Sequence, residues 1–131
     1  MFNAPYRVQG IAVSGGETAK KERAIRIANQ AAENLAIATR IENRDLLNDE
    51  NYIGPGYAIS TPACIEAIHL LARAEGILLD PVYSGKAMAG MIDHIRRGEI
   101  EPGDTIVFLH TGGTPALFAH VEDFGGSKRL F

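Results

Sequence analysis

Two short segments carry the side chains best suited to chemistry. The first is His110-Thr111-Gly112-Gly113-Thr114, which follows the run Thr105 to Leu109. A continuous β-branched and aromatic run predicts a fully buried strand, and in open α/β sheets ligands sit beyond the carboxyl ends of strands. Glycines there let the backbone approach a ligand closely, and Thr111 offers a hydroxyl beside Gly112. An ordinary β-turn has the same spacing, so the pattern leaves both readings open. The second segment is Asp80-Pro81-Val82-Tyr83-Ser84-Gly85-Lys86, after the apolar Ile77-Leu78-Leu79. Backbone amides at a helix start, with Ser84 and Lys86 near them, would suit an anion; a plain capped helix start fits equally well. It is not a phosphate-binding P-loop, because Asp80 stands where that motif has its first glycine.

Single reactive groups add little. A nucleophilic lysine needs a depressed pKa, and nothing local supplies one for Lys86, which is expected to be solvated just past a helix cap. His69, His94, His110 and His120 show no metal-ligand spacing and read as structural or surface residues. No metal is expected. Cys64 falls near a helix start, which can lower a thiol pKa, but its commoner role is that of a small buried residue. As the only cysteine it excludes an internal disulfide framework and any multi-cysteine metal site. Met88 and Met91 read as core.

The elements that must hold these segments alternate. Val8 to Val13 predicts a buried strand closing at Ser14-Gly15-Gly16, and the spacing of Ile25, Ala28, Ala32 and Leu35 predicts an amphipathic helix over 17–38. Ile37 to Ile41 is a possible strand, but the polar residues from Asn43 to Asn51 read as a surface excursion. Gly54-Pro55-Gly56 is a tight loop. Thr61 then caps a helix with Pro62 in its first position and Gly76 beyond its end. A short strand over 77–79, a helix from Ser84 or Gly85 to just before Gly98, a turn at Glu101-Pro102-Gly103-Asp104 and the strand over 105–109 complete the order. The tail 122–131 is polar and expected to fray. Such alternation predicts an α/β fold: a three-layer parallel sheet with helices on both faces. Residues 1–131 form one domain with few strands for such a sheet, so it reads as part of something larger.

Composition agrees. At 131 residues, 46% hydrophobic and 22% charged, the chain can form a core and is not of disordered type. With 13 basic and 16 acidic residues and a net charge of −3, it lacks the basic stripe that nucleic acid requires. No apolar run approaches the roughly 20 residues of a membrane span. The start shows no basic-then-apolar leader. The expectation is a soluble, cytoplasmic domain without nucleic-acid or membrane partners.

From Tyr52 onward the chain resembles the D-cysteine desulfhydrase and 1-aminocyclopropane-1-carboxylate (ACC) deaminase family, pyridoxal-phosphate enzymes of the tryptophan-synthase-β-like fold (fold type II). The match is carried by Gly54-Pro55-Gly56-Tyr57, by Ala72 through Met88 with its Asp80-Pro81-Val82-Tyr83-Ser84-Gly85-Lys86 core, by Gly90-Met91-Ile92-Asp93, and by Leu109 through Leu117. It spans residues 52–121. The resemblance implies pyridoxal 5'-phosphate as cofactor and a small amino-acid substrate. It implies that Tyr57 and Tyr83 are catalytic residues lining the substrate and the cofactor ring. It also implies that Thr111, Ser84 and Gly112 bind the cofactor, with the Thr111 hydroxyl facing the pyridine nitrogen. In the deaminase branch position 84 is glutamate and the hydroxyl at 111 is absent, so Ser84 and Thr111 place the chain on the desulfhydrase side. The implied reaction converts D-cysteine to pyruvate, ammonia and sulfide. The family's Schiff-base lysine and phosphate loop lie N-terminal to the matched region, and none of Lys20, Lys21, Lys86 and Lys128 stands in the lysine's context. The chain therefore reads as a C-terminal fragment, inactive alone. It would work as a homo-oligomer or with a partner chain supplying the N-terminal half; the alternatives are a non-catalytic split subunit docking on such a partner and an ACC deaminase-type enzyme.

Overall fold

The computed structural model describes residues 6–125. Most of the expected fraying tail and Lys128 lie outside this range; within it, Val121–Phe124 form a 3-10 turn. Strand β1 (Gln9–Ile11) falls inside the predicted stretch, and helix α1 (Glu17–Asn34) follows. The helix stops short of residue 38 because Ala36 turns left-handed, φ 53°, and the Ile37 N–H returns to the Ala32 carbonyl at 2.9 Å.

The partner of β1 lies where the polar excursion was expected. Strand β2 (Leu47–Asp49) runs parallel to β1, with Gln9 opposite Leu47 and Ile11 opposite Asp49. Leu-Asn-Asp has no apolar alternation, so periodicity could not reveal it. Its position is set by backbone pairing and by Asp49, whose carboxylate meets His94 Nε2 at 3.1 Å. Ile37 to Ile41 stays out of the sheet; Asn29 of α1 clamps the Ile41 backbone through both amide atoms, at 2.8 and 3.0 Å.

Helix α2 (Pro62–Glu75) begins and ends as predicted. The Thr61 hydroxyl accepts from the Cys64 N–H at 3.2 Å, and Gly76 closes the helix at φ 68°. Helix α3 (Ser84–Arg96) packs on it. Cys64, Ala67, Ile68, Leu79, Met88 and Ala89 form the core, flanked by Ile65, Leu71, Met91, Ile92, Phe108, Leu117 and Phe124. No helix among the described residues is long and apolar enough to cross a membrane.

Two predicted strands are corrected. Neither 77–79 nor 105–109 belongs to a sheet among the described residues, where the sheet has two strands. Leu79 is buried, but Leu78 is half exposed, and Val107 and Leu109 are 88% and 79% exposed. An apolar run signals that a segment suits burial on both faces; burial itself needs a covering neighbour and a hydrogen-bonded ladder. Among the described residues these segments have no ladder, and cover reaches only Leu79 and Phe108.

Close approach of α3 to α2 depends on Gly85. A Cβ there would lie 2.6 Å from the Asp80 carbonyl and 2.8 Å from both Cys64 Sγ and Ile68 Cδ1. Gly85→Ala should therefore destabilise the chain by about 1–3 kcal/mol in urea unfolding. Gly15→Ala, with nothing within 4 Å of its added methyl, should stay within about 0.5 kcal/mol. Equal effects would overturn the tight-contact account.

Candidate functional site

The turn entering α3 is built around a carboxylate. Asp80 is fully buried. One carboxylate oxygen accepts from the Val82 and Tyr83 N–H groups at 2.8 and 2.7 Å, and the other from the Ser84 N–H at 2.9 Å and the Ser84 hydroxyl at 2.5 Å. Ser84 Oγ in turn accepts from the Asp80 N–H at 2.9 Å. The helix-start amides thus do hold an anion, and it is the chain's own side chain; the idea of an external anion at this turn is corrected accordingly. Burial by itself pushes the Asp80 carboxyl up, but the hydrogen bonds from Ser84, Tyr83 and Val82 outweigh it and hold the group below its ordinary value. Asp followed by Pro and, four residues on, by Ser is a turn-forming pattern, so the sequence did contain a signal for this carboxylate.

Lys86 is the second missed residue. It is fully buried rather than solvated, and its ammonium donates to the Ile53 and Gly56 carbonyls at 2.6 and 2.9 Å. Burial lowers its pKa, opposed by the neighbouring Cys64. This contact draws the Gly54-Pro55-Gly56 loop onto α3 and sets Tyr57 beside Tyr83. The two tyrosine rings meet edge to face at 5.9 Å, both partly exposed, with their hydroxyls hydrogen-bonded. That bond, more than burial, raises the Tyr83 pKa.

The segment after residue 109 lies against the Asp80 turn. Gly112 and Gly113 are both left-handed, at φ 93° and 92°. A Cβ on Gly113 would meet Asp80 Oδ2 at 2.6 Å, so only glycine admits this approach. Thr111 is exposed and makes no hydrogen bond among the described residues, leaving its hydroxyl available. Ser84, by contrast, is 2% exposed with its hydroxyl engaged by Asp80. Tyr57, Tyr83, Ser84, Gly112 and Thr111 therefore lie on three adjoining loops.

The remaining candidates stand apart. Burial pushes the Cys64 thiol up to about 11, which suits the small buried residue expected of it. His94 is buried between Asp49 and Glu99, His69 stacks edge-on against Phe124, and His120 faces Asp123. The groove between α2 and α3, lined by Tyr52, Glu66, Asp93 and Arg96, includes none of Tyr57, Tyr83, Ser84, Gly112 and Thr111.

Removing the buried carboxylate would leave its amides without acceptors. Asp80→Ala should cost about 2–5 kcal/mol at pH 7 in urea unfolding. Because the folded pKa lies below the unfolded value of about 3.9, the contribution is in place above that value. It is lost as pH falls from there through the folded pKa. The gap between Asp80→Ala and the parent chain should therefore narrow at acid pH; a gap independent of pH would show that the charge contributes nothing.

A site that offers hydroxyls, a glycine turn and an aromatic pair, with its buried carboxylate turned inward, suits a flat polar ring more than a metal. The relatives agree with that chemistry. The profile of the family described as "Pyridoxal-phosphate dependent enzyme" matches residues 4–112. A 1-aminocyclopropane-1-carboxylate deaminase of Burkholderia vietnamiensis is 46% identical over 118 residues, which is 90% of this chain and 35% of the relative. One from Burkholderia multivorans shows the same identity and coverage. The crystal structure of an ACC deaminase homologue superposes with a TM-score of 0.76 at 32% identity, covering 92% of this chain and 35% of that one. The chain thus spans about a third of the length of the relatives it matches. Its α/β architecture is that part of fold type II, and its shared ancestry extends through β1 and α1, beyond the region where the motifs are densest. With the profile covering most of its length, the chain belongs to the pyridoxal-phosphate dependent enzyme family, whose cofactor is pyridoxal 5'-phosphate.

Proposed function

We propose that this chain supplies the ring-facing part of a pyridoxal-phosphate lyase that releases sulfide and ammonia from D-cysteine, leaving pyruvate, in the cytoplasm. The observation that carries the reading is Thr111: an available hydroxyl on a two-glycine turn packed against the Asp80–Ser84 turn. The residues suit the ring side of the cofactor. Thr111 and the Gly112 backbone would hold the pyridine edge, with Ser84 fixing the turn behind them. Tyr57 and Tyr83 would line the substrate side, their hydroxyls hydrogen-bonded to each other. The cofactor, when bound, supplies an electron sink for the carbanion formed at the substrate α-carbon. A hydroxyl at the ring nitrogen leaves that nitrogen largely neutral, sufficient for α-proton removal and loss of a good leaving group such as thiolate. Lys86 is already engaged by two carbonyls, and the resemblance implies that the cofactor's lysine and phosphate loop come from the part of the relatives' length that these 131 residues do not span. A complementary chain or a homo-oligomer are the partners that follow.

A second reading is an ACC deaminase, favoured by the names of the relatives at 46% identity. Against it stand Ser84 and Thr111, where the resemblance expects a glutamate at 84 and no hydroxyl at 111.

Purified alone, the chain should release no sulfide from D-cysteine above the free-cofactor background. Release abolished by Lys86→Ala would make Lys86 the reactive amine and overturn the assignment. Assembled with the complementary part of a relative, it should act on D-cysteine in preference to the cyclopropane substrate; the reverse preference establishes the second reading. In that assembly Thr111→Val removes one hydrogen bond and should lower kcat by about 3- to 20-fold with cofactor affinity nearly kept. Ser84→Ala, if more damaging than Thr111→Val, would move the ring-nitrogen contact to residue 84.

A further inference from the structure

We propose that His110 is the positioning residue of this site: a neutral imidazole, fixed in one tautomer, that aims the Thr111 hydroxyl. His110 Nε2 lies 3.0 Å from the Leu78 carbonyl, which can only accept, so Nε2 carries the hydrogen. His110 Nδ1 lies 3.1 Å from the Gly112 N–H, which can only donate, so Nδ1 carries none. The two contacts use both ring nitrogens in their complementary roles. A hydrogen on Nδ1 would set two donors against each other.

The turn needs such a device. Gly112 and Gly113 in succession give the backbone more freedom than any other pair of residues, and Thr111 makes no hydrogen bond of its own among the described residues. The imidazole pins the residue before Thr111 to Leu78 and the amide after it to its own ring. Nδ1 bonding to the amide two residues on reproduces the short turn that Asn and Asp side chains form. Thr114 adds a second donor to the same Leu78 carbonyl, at 3.3 Å. Leu78 runs directly into buried Leu79 and Asp80. The ring therefore connects the Thr111 turn to the segment that delivers Asp80, Tyr83 and Ser84. Its functional meaning rests on the reading of Thr111 above; its geometry does not.

The test uses the full chain labelled with 15N-histidine. Long-range 15N–1H spectra at neutral pH should show His110 as the neutral tautomer with hydrogen on Nε2. Hydrogen on Nδ1, or on both nitrogens, overturns the proposal. Exchange of the Gly112 amide should quicken about tenfold in His110→Phe. It should return most of the way in His110→Asn, whose side-chain oxygen can accept the same amide proton. Equal exchange in the two variants would mean that bulk, not the acceptor, holds the turn, and overturns it as well. In the assembled enzyme, His110→Phe combined with Thr111→Val should be no worse than the more damaging single change; additive losses count against positioning. A harmless Thr111→Val would remove the functional reading while the tautomer and exchange results still decide the role of His110.

Discussion

A carboxylate shut away from water keeps its charge only where donors replace the water it has lost. At Asp80 that requirement organises the site. Four donors from Val82, Tyr83 and Ser84 converge on it, which curls residues 81–83 into a turn and fixes where α3 begins. Gly113 then packs against the same carboxylate, so the loop bearing Thr111 takes its place from a group on the far side of α3 in sequence. Two residues into α3, a buried ammonium repeats the logic with opposite sign. Lys86 finds carbonyl oxygens at Ile53 and Gly56, and the loop carrying Tyr57 is drawn in. Two enclosed charges, six positions apart, thereby bring three separate loops to one place. Each side chain that the reading assigns to ring or substrate hangs from one of these anchors.

The sequence disclosed elements whose signals are local. Thr61, Pro62 and Gly76 bounded α2 because caps act within a turn of the helix, and Met88 and Met91, read as core, do pack there. It concealed whatever depends on a distant partner. Strand β2 is three residues, two of them polar, held by backbone pairing with β1, and no periodicity exists in so short a polar segment. Lys86 was expected to be solvated because single-residue statistics place lysines outside; only the loop that converges on it reveals its burial. For the candidate site, the motif segments marked the residues that the fold gathers, while the hydrogen bonds of Ser84 and His110 could not be read from them.

The stretches over 77–79 and 105–109 were overread for a related reason. Their composition records a preference for being enclosed, and Phe108 and Leu79 do reach the core. Val107 and Leu109 remain largely open to solvent. In relatives about three times as long, more chain is present to lie beside such segments. The apolar character of 105–109 is thus information about the larger fold, written into a part that cannot satisfy it from its own described residues.

Lys86 has one more consequence. An amine already donating to two carbonyls, with no surface open to water, cannot act as a nucleophile while the loop through residues 53–56 stays closed. Any aldehyde or acylating reagent that marks it must arrive during an opening. Its labelling rate, compared with that of an exposed amine, therefore measures how often that enclosure opens.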